Sequence, residues 1–110
     1  MYSIHLIELT VSIIEFSFLS CHSLFEIEIP LSINSIENKA FYDCISLSEV
    51  KIPSSVKSIG DETFYGCISL KKSELPSSIV SIGNHGFKGC SPLKQTIIPS
   101  NCEKLGKKYF

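Results

Sequence analysis

The side chains best suited to chemistry in this chain are its thiols, and four of them keep a fixed interval: Cys21, Cys44, Cys67 and Cys90, each 23 residues after the last. Thiols in register could form disulfides between neighbouring segments or hold a metal. Stacked strands lie about 4.8 Å apart, which suits the Cα separation of a disulfide. Like side chains on stacked strands point the same way, however, whereas a disulfide brings its Cβ atoms to about 3.8 Å. No Cys-x-x-Cys or Cys-x-x-His pair occurs, and one thiol per segment along a line does not build the tetrahedron that zinc requires. The expectation is five reduced thiols, no metal and no cofactor. The four in register then act as small buried core residues, and Cys102 as another core substitution in the Val56 position.

Other reactive types give no catalytic constellation. His5, His22 and His85 fall at unrelated positions of the 23-residue interval and cannot share a coordination sphere. Cys21 and His22 are adjacent in sequence, which is not a nucleophile–base geometry. The recurring serines, Ser54, Ser55, Ser58 and Ser69 among them, suit turns, and none stands in a Gly-x-Ser-x-Gly context. There is no glycine-rich phosphate loop. Arginine, the side chain best suited to clamping carboxylate or phosphate in two bonds, is absent. An enzyme is not expected.

Those thiols are positioned by a repeat. Pro30, Pro53, Pro76 and Pro99 keep the same interval, as do Phe18, Phe41, Phe64, Phe87 and Phe110, and Leu24, Leu47, Leu70 and Leu93. A further column runs Ile13, Ile36, Ile59, Ile82 and Leu105. The copies read IPLSINSIENKAFYDC (29–44), IPSSVKSIGDETFYGC (52–67) and LPSSIVSIGNHGFKGC (75–90). Each period holds one strand signal: Leu47-x-x-Val50-x-Ile52 alternates with period two and ends at Pro53, which has no N–H for a ladder. Val56 and Ile59 predict a second short extended stretch. Asp61 to Tyr65 reads as one helical or 3₁₀ turn, too short to stand alone. A unit this small cannot bury its own apolar face, so stacking in register drives the fold. Gly60, Gly83 and Gly106 share a column with Ile14 and Glu37. A β-branched residue at positive φ is an outlier, so no left-handed backbone is expected there and glycine reads as a convenience.

The pattern L-x-x-[IV]-x-[IL]-P-x-S-[IV]-x-S-I-G-x-x-x-F-x-G-C, from Leu47 to Cys67, resembles the BspA-like leucine-rich repeats. The resemblance implies an α/β-type, mainly β solenoid: a right-handed coil stack with a concave parallel sheet and short helical or 3₁₀ turns on the convex side. Residues 1–110 then form a single domain, with a degenerate first coil at 1–24, repeats at 25–47, 48–70 and 71–93, and a partial last coil at 94–110. It also implies protein binding, adhesion, and placement at a cell surface or in secretion, as in other family members.

If Val50 and Ile52 point inward, Glu49 and Lys51 point outward on the concave face. Stacking then gives one column of Glu26, Glu49, Lys72 and Gln95, and another of His5, Glu28, Lys51, Glu74 and Ile97. The candidate binding face is therefore Glu26, Glu28, Glu49, Lys51, Lys72, Glu74 and Gln95. The bland alternative is a ladder of exposed ion pairs, each worth about 0–1 kcal/mol, in a purely structural array with no ligand. Tyr42 and Tyr65 are expected half-exposed on the convex side.

Composition agrees with a folded scaffold: 44% hydrophobic and 19% charged residues, with net charge -1. That charge implies no pull toward nucleic acid. Residues 1–38 hold five acids and no lysine, while the remainder holds all ten lysines. The apolar start lacks a basic leader region and aligns with the repeat, so it reads as a packed coil. Solenoid ends expose apolar faces unless capped, so the chain is expected to belong to a longer array or to self-associate through an end. The expected partner is a protein, with no nucleic acid and no metal.

Overall fold

In the computed structural model, residues 2–5, 12–13, 18–93 and 98–108 are described. Nine short strands follow one another along them: β1 (Tyr2–His5), β2 (Ser12–Ile13), β3 (Leu24–Glu28), β4 (Ser35–Ile36), β5 (Glu49–Lys51), β6 (Ser58–Ile59), β7 (Lys72–Glu74), β8 (Ser81–Ile82) and β9 (Lys104–Leu105). From β1 to β8 they alternate between two parallel sheets, one ordered β1-β3-β5-β7 and the other β2-β4-β6-β8-β9, with β9 adding to the second. The register is the repeat interval: Ile27 pairs with Val50 and Val50 with Ser73, while Ser35 pairs with Ser58 and Ser58 with Ser81. The first copy obeys it too, with Ile4 opposite Ile27 and Ile13 opposite Ile36. This is the stack of equivalent coils that the period predicted, with the parallel sheet that the family resemblance implied.

The core runs as columns along the stack. Phe41, Phe64 and Phe87 are almost wholly buried, at 0%, 0% and 1% exposure. From Phe18 to Phe87 the rings stack at centroid distances of 5.1, 5.3 and 5.2 Å, with planes within 10°. Leu24, Leu47, Leu70 and Leu93 form a second buried column, and Ile36, Ile59 and Ile82 a third. Cys102 is half-buried against the core beyond Ile33, Val56 and Ile79. Burial of side chains this size stabilises by roughly 1.5–3 kcal/mol each, and each is covered only because its equivalents sit on either side. One core position breaks the pattern. Ser73 follows Ile27 and Val50 inward, and its buried hydroxyl has no hydrogen-bond partner.

The third wall differs from expectation. Asp61 to Tyr65 forms no helical or 3₁₀ turn, and no helix occurs among the described residues. Glu62 sits at φ 53, as do its equivalents Lys39 at 56 and His85 at 55, so the chain cannot wind on as a right-handed helix. Alternate N–H groups instead reach the next coil. Glu62 donates to Asn84 O, Phe64 to Gly86 O and Gly66 to Lys88 O, all at 2.8 Å. Between them Tyr65 N donates to Glu62 O at 3.2 Å and Cys67 N to Phe64 O at 3.2 Å. The wall is a ladder of tight turns, with a second left-handed column at Ser20, Asp43, Gly66 and Gly89.

The column of Gly60 and Gly83 also needs correction. Neither residue has positive φ, as predicted, yet glycine there is no convenience. A Cβ on Gly60 would lie 2.7 Å from Asn38 N and 2.9 Å from Glu37 C, and one on Gly83 would lie 2.5 Å from Asp61 N. The coil below approaches so closely that only hydrogen fits. The requirement is spacing between coils, and not backbone handedness.

Candidate functional site

From residue 26 onward the face of the four-stranded sheet is built by alternation, after a break that lets both Leu24 and Ile27 turn inward. Leu24, Ile27 and Ile29 of the β3 segment turn into the core, and Glu28 is left exposed with Glu26 half-buried. In β5, Val50 is buried, Lys51 exposed and Glu49 half-buried. Strand pairing then sets two columns of charged positions. Glu26 lies opposite Glu49 and Glu49 opposite Lys72, while His5 lies opposite Glu28, Glu28 opposite Lys51, and Lys51 opposite Glu74. Six of the seven expected face residues are thereby placed in strands on this sheet, and Gln95 lies outside the described residues. Glu26 and Glu49 are like charges on adjacent strands, which is destabilising at such a pairing.

Side chains of opposite character meet on the turn side of the solenoid. Lys39 Nζ stands 3.5 Å from Glu62 Oε1 and 5.7 Å from the centre of the Tyr42 ring. His22 Nε2 stands 3.6 Å from Asp43 Oδ2. Tyr42 and Tyr65 are half-buried and stacked at 5.1 Å, and the Tyr65 ring meets His85 edge-on.

The thiols do more than fill space. Cys44 Sγ donates to Phe18 O at 3.0 Å, Cys67 Sγ to Phe41 O at 3.1 Å and Cys90 Sγ to Phe64 O at 3.1 Å. Phe41 O also accepts the backbone N–H of Cys44 at 3.3 Å, so each such carbonyl serves its own coil and the next. The neighbouring thiols of Cys44 and Cys90, together with burial, hold the Cys67 thiol well above its usual range. Burial pushes up the Cys21 and Cys102 thiols as well. Among the described residues, no group of three or more histidine, cysteine or acidic side chains is placed to hold a metal ion.

Two polar ladders went unread in the sequence. Asn38 Oδ1 accepts the N–H of Asp61 at 2.7 Å, Asp61 Oδ1 that of Asn84 at 2.8 Å, and Asn84 Oδ1 that of Lys107 at 2.8 Å. Ser55 Oγ donates to Ile33 O and Ser78 Oγ to Val56 O, both at 2.6 Å. Their signal was present, since Asn38, Asp61 and Asn84 keep the same 23-residue interval as the phenylalanines.

Similar folds have been solved. A leucine-rich repeat protein from Bacteroides ovatus superposes with a TM-score of 0.92 at 35% identity, over 98% of this chain and 30% of its own. A leucine rich cell surface protein from Faecalibacterium prausnitzii gives 0.82 at 27% identity, over 96% and 31%. The leucine rich repeat protein of T. pallidum, at 0.72 and 23% identity over 94% and 68%, shares the fold. The chain thus spans about a third of the length of the first two. No curated protein matches it. Among the described residues no helix is long and apolar enough to cross a membrane. The BspA type leucine rich repeat region matches residues 1–110 in 6 copies, and the chain belongs to that family.

Proposed function

We propose that this chain is a non-enzymatic leucine-rich repeat scaffold that binds protein through the face of its four-stranded sheet, as the adhesin-like part of a cell-surface protein. One observation carries the reading. Strand register brings the positions of Glu26, Glu28, Glu49, Lys51, Lys72 and Glu74 side by side on three adjacent strands, two per strand, which supports a shared binding surface. A regular, rigid surface with both signs of charge is suited to selecting a partner by complementarity. The surface placement draws on the F. prausnitzii relative, which is described as a cell surface protein. Gln95 would extend the first column by one coil.

The test uses the immobilised full chain and a panel of purified serum and extracellular-matrix proteins. Binding is expected for at least one of them, lost in Lys51→Glu/Lys72→Glu and kept in Lys57→Glu/Lys107→Glu, which alters exposed lysines off this sheet. Equal loss in both variants, or no binding by the parent, rejects the reading. It would leave a purely structural array segment, whose columns serve only to hold register.

A further inference from the structure

Tyr42 and Tyr65 are half-buried and meet ring to ring, 5.1 Å between centres and with planes 4° from parallel. The repeat shows that the fold does not demand them. Their equivalents one coil before and one coil after are Leu19 and Lys88, so an aliphatic chain or a cation also occupies this place. The backbone nevertheless fixes the pair on both sides. Phe41 N donates to Thr63 O at 2.9 Å, and Asp43 N donates to Tyr65 O at 2.7 Å. The residues immediately before them, Phe41 and Phe64, are locked in the core as a stack at 5.3 Å.

We infer that Tyr42 and Tyr65 are a modification site, joined as a dityrosine staple between coils when the protein meets hydrogen peroxide and a haem peroxidase. Each phenol gives up one electron and one proton to become a phenoxyl radical. The two radicals join through ring carbons ortho to oxygen, and the hydrogens on those carbons move to the oxygens, restoring two phenols. One peroxide takes up the two electrons and two protons and leaves as two waters. Radicals on separate molecules must first collide, whereas these two are already neighbours, and fixed proximity raises effective concentration by orders of magnitude. Half-buried rings can turn about their Cα–Cβ and Cβ–Cγ bonds to bring the ortho carbons together, which the close-packed phenylalanines cannot. Competing sites are few. The chain has no tryptophan, and the Cys44, Cys67 and Cys90 thiols are buried and bonded to phenylalanine carbonyls. The link closes a loop from residue 42 to residue 65 and so restricts the unfolded chain, as a disulfide does.

The test treats the full chain, dilute and with Cys21 and Cys102 blocked by iodoacetamide, with hydrogen peroxide and a haem peroxidase. Digestion after lysine and mass spectrometry are expected to show peptide 40–51 joined to peptide 58–71, lighter than their sum by two hydrogens. Dityrosine fluorescence should appear in the monomer, with a yield that further dilution leaves unchanged. The link should be lost in Tyr42→Phe and in Tyr65→Phe, and kept in Tyr2→Phe/Tyr109→Phe, which removes the other two tyrosines. The linked protein should melt at a higher temperature than the unlinked fraction of the same sample. Absence of the joined peptides, coupling only between molecules, a yield indifferent to Tyr42→Phe, or a linked protein that melts no higher overturns the inference.

Discussion

The Sγ of Cys67 donates to the carbonyl of Phe41 in the preceding coil at 3.1 Å. That bond ties two columns, cysteine and phenylalanine, into one unit, and it requires the thiol to keep its proton. The neighbouring thiols and burial raise the Cys67 value above the ordinary 9.0. The folded state therefore holds a proton that the unfolded chain releases. Its contribution is complete below the ordinary thiol range and declines as pH rises through it, by about 1.4 kcal/mol per pH unit for one such thiol. Denaturant melts of parent and Cys67→Ala between pH 7 and pH 10.5 are expected to diverge less as pH increases. A constant difference would show that the thiol titrates alike in both states.

Thiol reactivity should divide by position. Cys44, Cys67 and Cys90 are buried, while Cys21 and Cys102 are half-buried. A thiol reagent is expected to label Cys21 and Cys102 first in the native protein, with the other three following at the rate of unfolding. All five should titrate in denaturant without reductant. Mass spectrometry of partly labelled protein reads the order directly.

Phe64 is wholly buried between Phe41 and Phe87. Phe64→Ala empties the middle of the ring column and should cost about 3–5 kcal/mol, enough to unfold a stack this short. Circular dichroism melts check it, and a melt like the parent's would place Phe64 outside the core.

Ser73 offers the opposite change. Its hydroxyl is buried without a partner in a column otherwise occupied by Ile27 and Val50. Ser73→Val removes an unsatisfied group and adds apolar contact, and should stabilise by about 1–3 kcal/mol. A lower denaturation midpoint than the parent's would mean that the hydroxyl serves a group beyond the described residues.

Two backbone substitutions separate handedness from spacing. Glu62 is left-handed at φ 53, a conformation costing roughly 1–2 kcal/mol for a residue with a Cβ. Glu62→Gly should therefore cost little or stabilise slightly, despite the loss of the Lys39 ion pair. Gly83→Ala should destabilise by about 1–3 kcal/mol, because its Cβ would meet the backbone of Asp61 and Gly60. Equal effects at the two sites would contradict the close coil spacing.

Much of this architecture was legible because identical side chains 23 residues apart declare a stack before any local structure is assigned. The Phe64, Leu47 and Ile59 columns and the facing of Glu49 and Lys51 all follow from that interval and strand alternation. The turn wall was not legible. Lys39, Glu62 and His85 have no residue type in common that announces a left-handed backbone, and a short polar run ending in Phe-Tyr looks helical until intercoil hydrogen bonds compete for its N–H groups. The spacing role of the glycine column is hidden in the sequence for a related reason. Glu37 at the same position hid a steric demand that arises only between coils, and a sequence states neighbours along the chain more plainly than neighbours across it.

The Asn38, Asp61 and Asn84 side chains each receive the N–H of the equivalent residue one coil later. Every coil therefore finishes its own surface only when a successor of the same length arrives. A gene encoding such a protein can lengthen or shorten by whole repeats and keep every junction intact, whereas a slip of one or two codons would put the wrong atom at each accepting side-chain oxygen. Growth of this kind is quantised, and arrays of different lengths are its natural products.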